Sequence, residues 1–196
     1  MEENHSPIAL MVLGTPGTGK TTIVSHIVKI LDQKKRKNML ISFDAFRKTL
    51  VPPGVNPFTH DENIRKMIYE KAAQEFSRYL REGFTVIIDC GLTRENIRRQ
   101  LKSVVPQMKI CHIHCPLIVA MIRETKRSLL REKHENGHYL YLRALLSLIS
   151  PFKKEKLAIP PITHTFEYPA CADIHVSSFL KNPEKTASEI IEKLKI

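Results

Sequence analysis

The chain has 196 residues, 42% of them hydrophobic and 26% charged, which suits one folded unit able to bury a real core. That composition excludes a low-complexity or fibrous chain, and the apolar runs fall short of a membrane span. Lysine and arginine exceed aspartate and glutamate by 31 − 20 = +11, which suits a nucleic acid, a small polyanionic substrate, or basic helix surfaces that are merely solvated.

Ile8–Leu13 is a short continuous apolar run, as a strand buried on both faces should be. It runs into Gly14-Thr15-Pro16-Gly17-Thr18-Gly19-Lys20-Thr21, which fits the pattern Gly, four residues, Gly, Lys, Ser or Thr. Ile23, Val24, Ile27, Val28 and Leu31 then recur at helical spacing. Strand, glycine-rich loop and helix in this order read as a phosphate-binding loop. Its glycines let backbone N–H groups turn onto phosphate oxygens, and the helix N-terminus adds positive potential. Gly14 through Thr22 is the expected nucleotide cradle, with Lys20 reaching the β- and γ-phosphates and Thr21 ligating Mg²⁺.

Met39–Phe43 reads as a second strand ending at Asp44, with Arg47 three residues on. There Asp44 can accept or orient the proton of an acceptor hydroxyl, and Arg47 can clamp an anionic acceptor. The alternative is a helix cap with a surface arginine. A proline-rich loop follows. Thr59 and Glu62 then form a Thr-x-x-Glu capping box, opening a helix with Ile64, Ile68, Ala72, Phe76 and Leu80 at four-residue spacing. Thr85–Asp89 is another buried strand. Asp89 is placed like an acid that holds Mg²⁺, or else like a turn residue.

Thr93 can cap a helix over Arg94–Val105, and Met108–His114 is the next strand. Alternation puts Cys111, Ile113 and Cys115 on one face and His112 and His114 on the other, so CHIHC cannot surround one zinc ion. The opening MEENHSPIAL is acidic, unlike a signal peptide. The four cysteines are therefore expected as free thiols of a cytoplasmic protein.

Pro116 suits the first turn of a long basic helix reaching about Glu135. Arg123, Arg127 and Arg131 share one face of it. Guanidinium groups there can stabilise the charge of a transferring phosphoryl group, or the later arginines can be merely solvated. Arg123, nearest the strand end, is the expected catalytic member, with Arg127 as a second phosphate contact. Tyr139–Ile149 is apolar enough to be core or a partner surface, so a homodimer is one expectation. Asp173–Ser178 is a short final strand. Asn182 and Pro183 open a last amphipathic helix with Ile190, Ile191 and Leu194 on one face. The alternation of strands and helices predicts an α/β fold, a parallel sheet covered on both faces with ligands at the strands' carboxyl ends. One domain is expected over residues 1–196, with a lid and insertion at about 123–165.

These features resemble the small P-loop kinases, and among them the adenylylsulfate kinases. SFDAFR is similar to that family's Asp-Gly-Asp-Asn-x-Arg strand end, keeping its second acid as Asp44 and its arginine as Arg47. ENIRK (Glu62–Lys66) resembles its Glu-Asn-Ile-Arg-Arg helix start. CPLIVAMIRE (Cys115–Glu124) resembles its Ala-Pro-Leu-x-Val-Cys-x-x-Arg-Asp segment, which places Arg123 at the start of the lid. PITHTFEYP is loosely similar to Gly-Ile-x-x-Pro-Tyr-Glu-x-Pro. The chain departs from the family at Ser42, where an acid stands, and at His60, where a substrate-binding arginine stands. The segment after Gly137 is longer than the family's Lys-Gly-Leu-Tyr-Lys-Lys lid. VIIDCGLTRENIRR looks more like a stretch of polynucleotide 5′-kinases, seryl-tRNA kinases and zeta-toxin-like kinases.

The resemblance implies a three-layer P-loop kinase fold with a helical lid, ATP and Mg²⁺ as cofactors, and γ-phosphoryl transfer to an acceptor hydroxyl. Lys20, Asp44 and Arg123 are then the catalytic residues. Asp44, Arg47, His60, Asn63 and Asp89 would meet the acceptor, a small anionic nucleotide-like molecule such as adenylylsulfate. RNA, tRNA-bound serine or another metabolite is the alternative acceptor. A nucleotide-controlled module without kinase activity is a third reading. Against it, HIHCPLIVAM offers no Asn/Thr-Lys-x-Asp guanine motif, and no Asp-x-x-Gly follows the third strand.

Overall fold

The computed structural model describes residues 6–57, 61–91, 94–130, 141–142 and 166–196. Its centre is β1 (Ala9–Leu13), in which no side chain meets water. A strand buried on both faces must be apolar on both, and its alternate residues feed two separate cores. β2 (Asn38–Ser42), β3 (Thr85–Cys90), β4 (Met108–His114) and β5 (Ile174–Ser177) complete the sheet. All pairings are parallel and the spatial order is β2-β3-β1-β4-β5. Chain order reverses about β1, so a crevice opens beyond its carboxyl end. The register sets Asp89 beside Val12 and Ser42, and Leu13 beside Cys90 and His112.

Six helices lie among the described residues. They are α1 (Lys20–Gln33), α2 (Phe43–Thr49), α3 (Glu62–Arg81), α4 (Glu95–Val104), α5 (Leu117–Leu129) and α6 (Pro183–Leu194). On one face of the sheet, Ile23, Ile27 and Leu31 of α1 and Ile190 and Ile191 of α6 pack on Leu10, Val12, Ile87 and Ile113. On the other, Phe43 of α2, Ile68 and Phe76 of α3 and Leu101 of α4 pack on Met11, Leu13, Ile88 and Ile110. Each such side chain taken from water contributes about 1.5–3 kcal/mol. The three-layer arrangement is the expected one.

Local chemistry moves several boundaries. β2 stops at Ser42 and α2 starts at Phe43, so Asp44 lies in a helix's first turn rather than at a strand end. A carboxylate is favourable at that positive end, and Arg47 one turn later pairs with it at 2.6 Å. α3 is capped by Asp61, not by a box built on Thr59, which lies outside the described residues. The Asp61 carboxylate accepts from Asn63 N at 2.8 Å and Ile64 N at 3.2 Å and adds a full negative charge there. Pro116 is the N-cap of α5 rather than a member of its first turn, and the helix is described to Leu129, short of Glu135. α4 begins at Glu95, one residue later than expected, and Thr93 lies outside the described residues. Asn182 caps α6 through Glu184 N at 2.8 Å, with Pro183 at the first helical position. No described helix is long and apolar enough to cross a membrane.

Candidate active site

The loop from β1 to α1 is shaped by glycines with different tasks. Gly17 and Gly19 take φ values of 78° and 86°, a left-handed conformation that glycine adopts without a Cβ penalty. Gly14 is required by space: a Cβ there would lie 2.7 Å from the Ile113 carbonyl oxygen and 2.8 Å from Thr18 Oγ1. At Gly17 a Cβ would collide with the Ala120 carbonyl, so α5 lies hard against the loop.

Three carbonyls of the loop are held by protein donors. Thr15 O accepts from Thr18 N at 3.3 Å, Thr18 Oγ1 at 2.8 Å and Lys20 Nζ at 3.1 Å. Pro16 O accepts from the Tyr141 hydroxyl at 2.6 Å, and Thr18 O from Ser178 Oγ at 2.7 Å. Amides freed by such a turn make an anion-binding nest, and the missing Cβ atoms leave room for phosphate oxygens.

Lys20 is half-buried at the start of α1. Desolvation lowers its pKa from the ordinary lysine value, Asp89 and Asp44 oppose the shift, and Arg127 adds to it. Groups from β3, α2 and α5 therefore act on one ammonium of α1. Thr21 Oγ1 donates to Asp89 Oδ2 at 2.7 Å. A hydroxyl and a carboxylate meeting beside a phosphate nest are the hard oxygen donors that Mg²⁺ takes, so the pair fits that ion.

Arg123 reaches back from α5 to the end of β5. Its guanidinium donates to Ser178 O at 3.1 Å and Ser178 Oγ at 3.4 Å, and lies 3.7 Å from Cys115 Sγ. Arg127 stands one turn on, and Arg131 lies outside the described residues. Thr22 is exposed beside Thr21, and Asn63 is exposed on the first turn of α3. His60 lies outside the described residues. Of Tyr139–Ile149, only Tyr141, buried, and Leu142, exposed, are described.

Ser178 and Tyr141 are site residues that sequence reasoning missed. Ser178 follows the last strand, and position alone could have flagged it, because carboxyl ends of parallel strands line the crevice. Tyr141 carries no comparable signal. Away from the loop, the CHIHC residues divide between the sheet's two faces. Cys111 and Ile113 join the core under α1 and α6, and burial pushes the Cys111 thiol up to about 12. His112 stacks on Phe166 at 5.7 Å and lies 3.2 Å, Nδ1 to Nδ1, from His175. Burial lowers its pKa to about 4, with His175, His114 and Arg98 adding to the effect. None of the four cysteines, all among the described residues, forms a disulfide.

The AAA domain profile matches residues 10–147, which include the loop, Asp44, Asp89 and Arg123. The chain belongs to the AAA domain family. This AAA-domain chain is also similar to solved kinase structures. The Mycobacterium tuberculosis APS kinase in complex with AMPPNP and APS is 16% identical with a TM-score of 0.70, over 97% of this chain and 99% of that one. A sugar kinase from Janibacter sp. is 19% identical with a TM-score of 0.60, over 97% and 95%. A shikimate kinase from Aquifex aeolicus is 20% identical with a TM-score of 0.55, over 96% of each chain. At such identities the likeness shows the fold, that of P-loop kinases. A search of curated proteins finds no match.

Proposed function

We propose that this chain is an ATP-dependent kinase that passes the γ-phosphoryl group to the hydroxyl of a small anionic, nucleotide-like acceptor such as adenylylsulfate. The observation that carries the proposal is the Asp44 carboxylate, set with Arg47 in the first turn of α2 directly beyond the carboxyl end of β2, where its charge acts on Lys20. A nucleotide switch needs the lysine and the metal-holding pair, but no further carboxylate to receive an acceptor's proton. A carboxylate opposite the lysine gives an acceptor hydroxyl somewhere to send its proton.

The loop amides cradle the phosphates, and Lys20 leaves Thr15 O to meet their outer oxygens. Thr21 and Asp89 would hold Mg²⁺, which supplies charge neutralisation at the phosphate oxygens when bound. Arg123 and Arg127 bring guanidinium charge to oxygens that become more negative in the transition state. Asp44 orients the acceptor hydroxyl and takes its proton at a carboxylate oxygen. Arg47, paired with Asp44, brings guanidinium charge to the acceptor's anionic group. The APS kinase structure, bound to AMPPNP and APS, supports adenylylsulfate as the first acceptor to try.

The test is a transfer screen with labelled ATP: adenylylsulfate first, then a sugar, shikimate and a 5′-hydroxyl oligonucleotide. A small anion should be labelled, and Lys20→Ala should abolish the label. Asp44→Asn should slow transfer by about 100-fold or more while ATP affinity stays within about twofold. Full activity in Asp44→Asn would remove its role, and labelling of the oligonucleotide alone would reverse the choice of acceptor.

A further inference from the structure

Tyr141 lies in the stretch after α5 where the sequence departs most from the kinases it resembles. Its side chain is 1% exposed, and its hydroxyl donates to Pro16 O at 2.6 Å, the shortest of the bonds to the loop's carbonyls among the described residues. Burial raises its pKa to about 12, the Thr15 hydroxyl opposes the shift, and Glu124 and Cys115 add to it. The phenol is therefore a donor throughout the neutral range and no candidate base.

Pro16 makes this contact consequential. It has no N–H, so at this point the loop has only a carbonyl to present. Turned toward a phosphate, that oxygen repels it; turned outward, it needs a donor. Tyr141 supplies the donor. Ser178 does the same for Thr18 O on the other arm of the loop, and Ala120 closes on Gly17 between them.

We propose that Tyr141 is a positioning residue for the phosphate loop. Its hydroxyl holds the Pro16 carbonyl outward and so presets the amides of Gly17 and Gly19 for phosphate. The proposal rests on the nucleotide-binding reading above. Seating of Tyr141 and binding of the triphosphate then favour each other equally, because coupling between two binding events is reciprocal.

Tyr141→Phe keeps the ring and deletes the donor. Calorimetric titration with ATP–Mg²⁺, well below the melting temperature, should show Kd about tenfold weaker than in the unaltered protein. 3-Fluorotyrosine at position 141, which restores the hydroxyl, should restore Kd. A residue that only packs would lower the melting temperature and leave Kd unmoved, and that result overturns the proposal. No nucleotide binding by the unaltered protein overturns the phosphate-loop reading and this proposal with it. Should Tyr141→Phe fail to fold, the ¹⁹F resonance of the fluorotyrosine protein decides. It shifts on adding ATP–Mg²⁺ if the hydroxyl is coupled to the loop, and an unmoved resonance overturns the coupling.

Discussion

Acidification should destabilise this protein through His112 before its carboxylates take part. In the unfolded chain the imidazole titrates at its ordinary value of 6.5; in the fold it titrates near 4. The cause is first its burial under Phe166, then the facing His175, His114 and Arg98. Between these values the unfolded chain binds the proton and the folded chain does not, so stability falls as pH falls through the window. At about pH 5 the two states differ by roughly 1.5 log units of proton binding, which at about 1.36 kcal/mol per unit costs about 2 kcal/mol. Glu95, Asp173 and Glu189 sit below their ordinary values of 4.5, 3.8 and 4.5, and their contribution is lost only at lower pH. Urea unfolding followed by circular dichroism, in steps from about pH 7.5 to about pH 5, reads the loss. His112→Phe keeps an aromatic ring against Phe166 and removes the titrating nitrogen. Its stability should be nearly flat where the unaltered protein loses about 2 kcal/mol. Parallel curves for the two proteins would refute the reasoning.

Gly17→Ala combines left-handed backbone strain with a clash at the Ala120 carbonyl. It should lower stability by about 2 kcal/mol or more and weaken ATP binding, as a shifted urea midpoint and calorimetry would show. Asp89→Asn removes the charge beside Thr21 while keeping an oxygen that can accept its hydrogen bond. The Mg²⁺ concentration for half-maximal ATP binding should rise about tenfold or more; an unchanged requirement would remove Asp89 from the metal site.

The phosphate loop and the strands were legible because their signals are local. Glycine spacing and unbroken apolar runs leave few alternatives for Gly14–Thr21, Ala9–Leu13 and Val86–Ile88. Asp44 was read at a strand end and lies instead in the first turn of α2. Phe43 is buried whether it ends a strand or begins a helix, so hydrophobicity does not separate the two. Thr59 and Asp61 both suit a cap, and only the bonds to Asn63 and Ile64 reveal Asp61 as the one used. Arg98 reads as one more surface charge in a basic stretch. It is wholly buried, held by Glu95 at 2.9 Å and by the Glu167 carbonyl. Tyr141 and Ser178 reach the loop across 125 and 160 residues, and no pattern of neighbouring residues encodes such a pairing.

β3 shows how a carboxylate near a strand's end can keep the strand in step. Val86, Ile87 and Ile88 are interchangeable in size and polarity, and each face of the strand is covered by its own core. A slip of one position would turn every side chain to the opposite face, and among these three hydrophobicity would scarcely resist it. Asp89 would resist. In step, it meets Thr21 at the crevice beneath α1; slipped, it would face the apolar layer under α3 and α4 that now holds Cys90. An unpaired carboxylate there costs several kcal/mol. The same carboxylate that suits a metal ion therefore serves as the strand's index mark, and a one-residue deletion upstream of it would part Asp89 from Thr21 while leaving the apolar pattern almost unchanged.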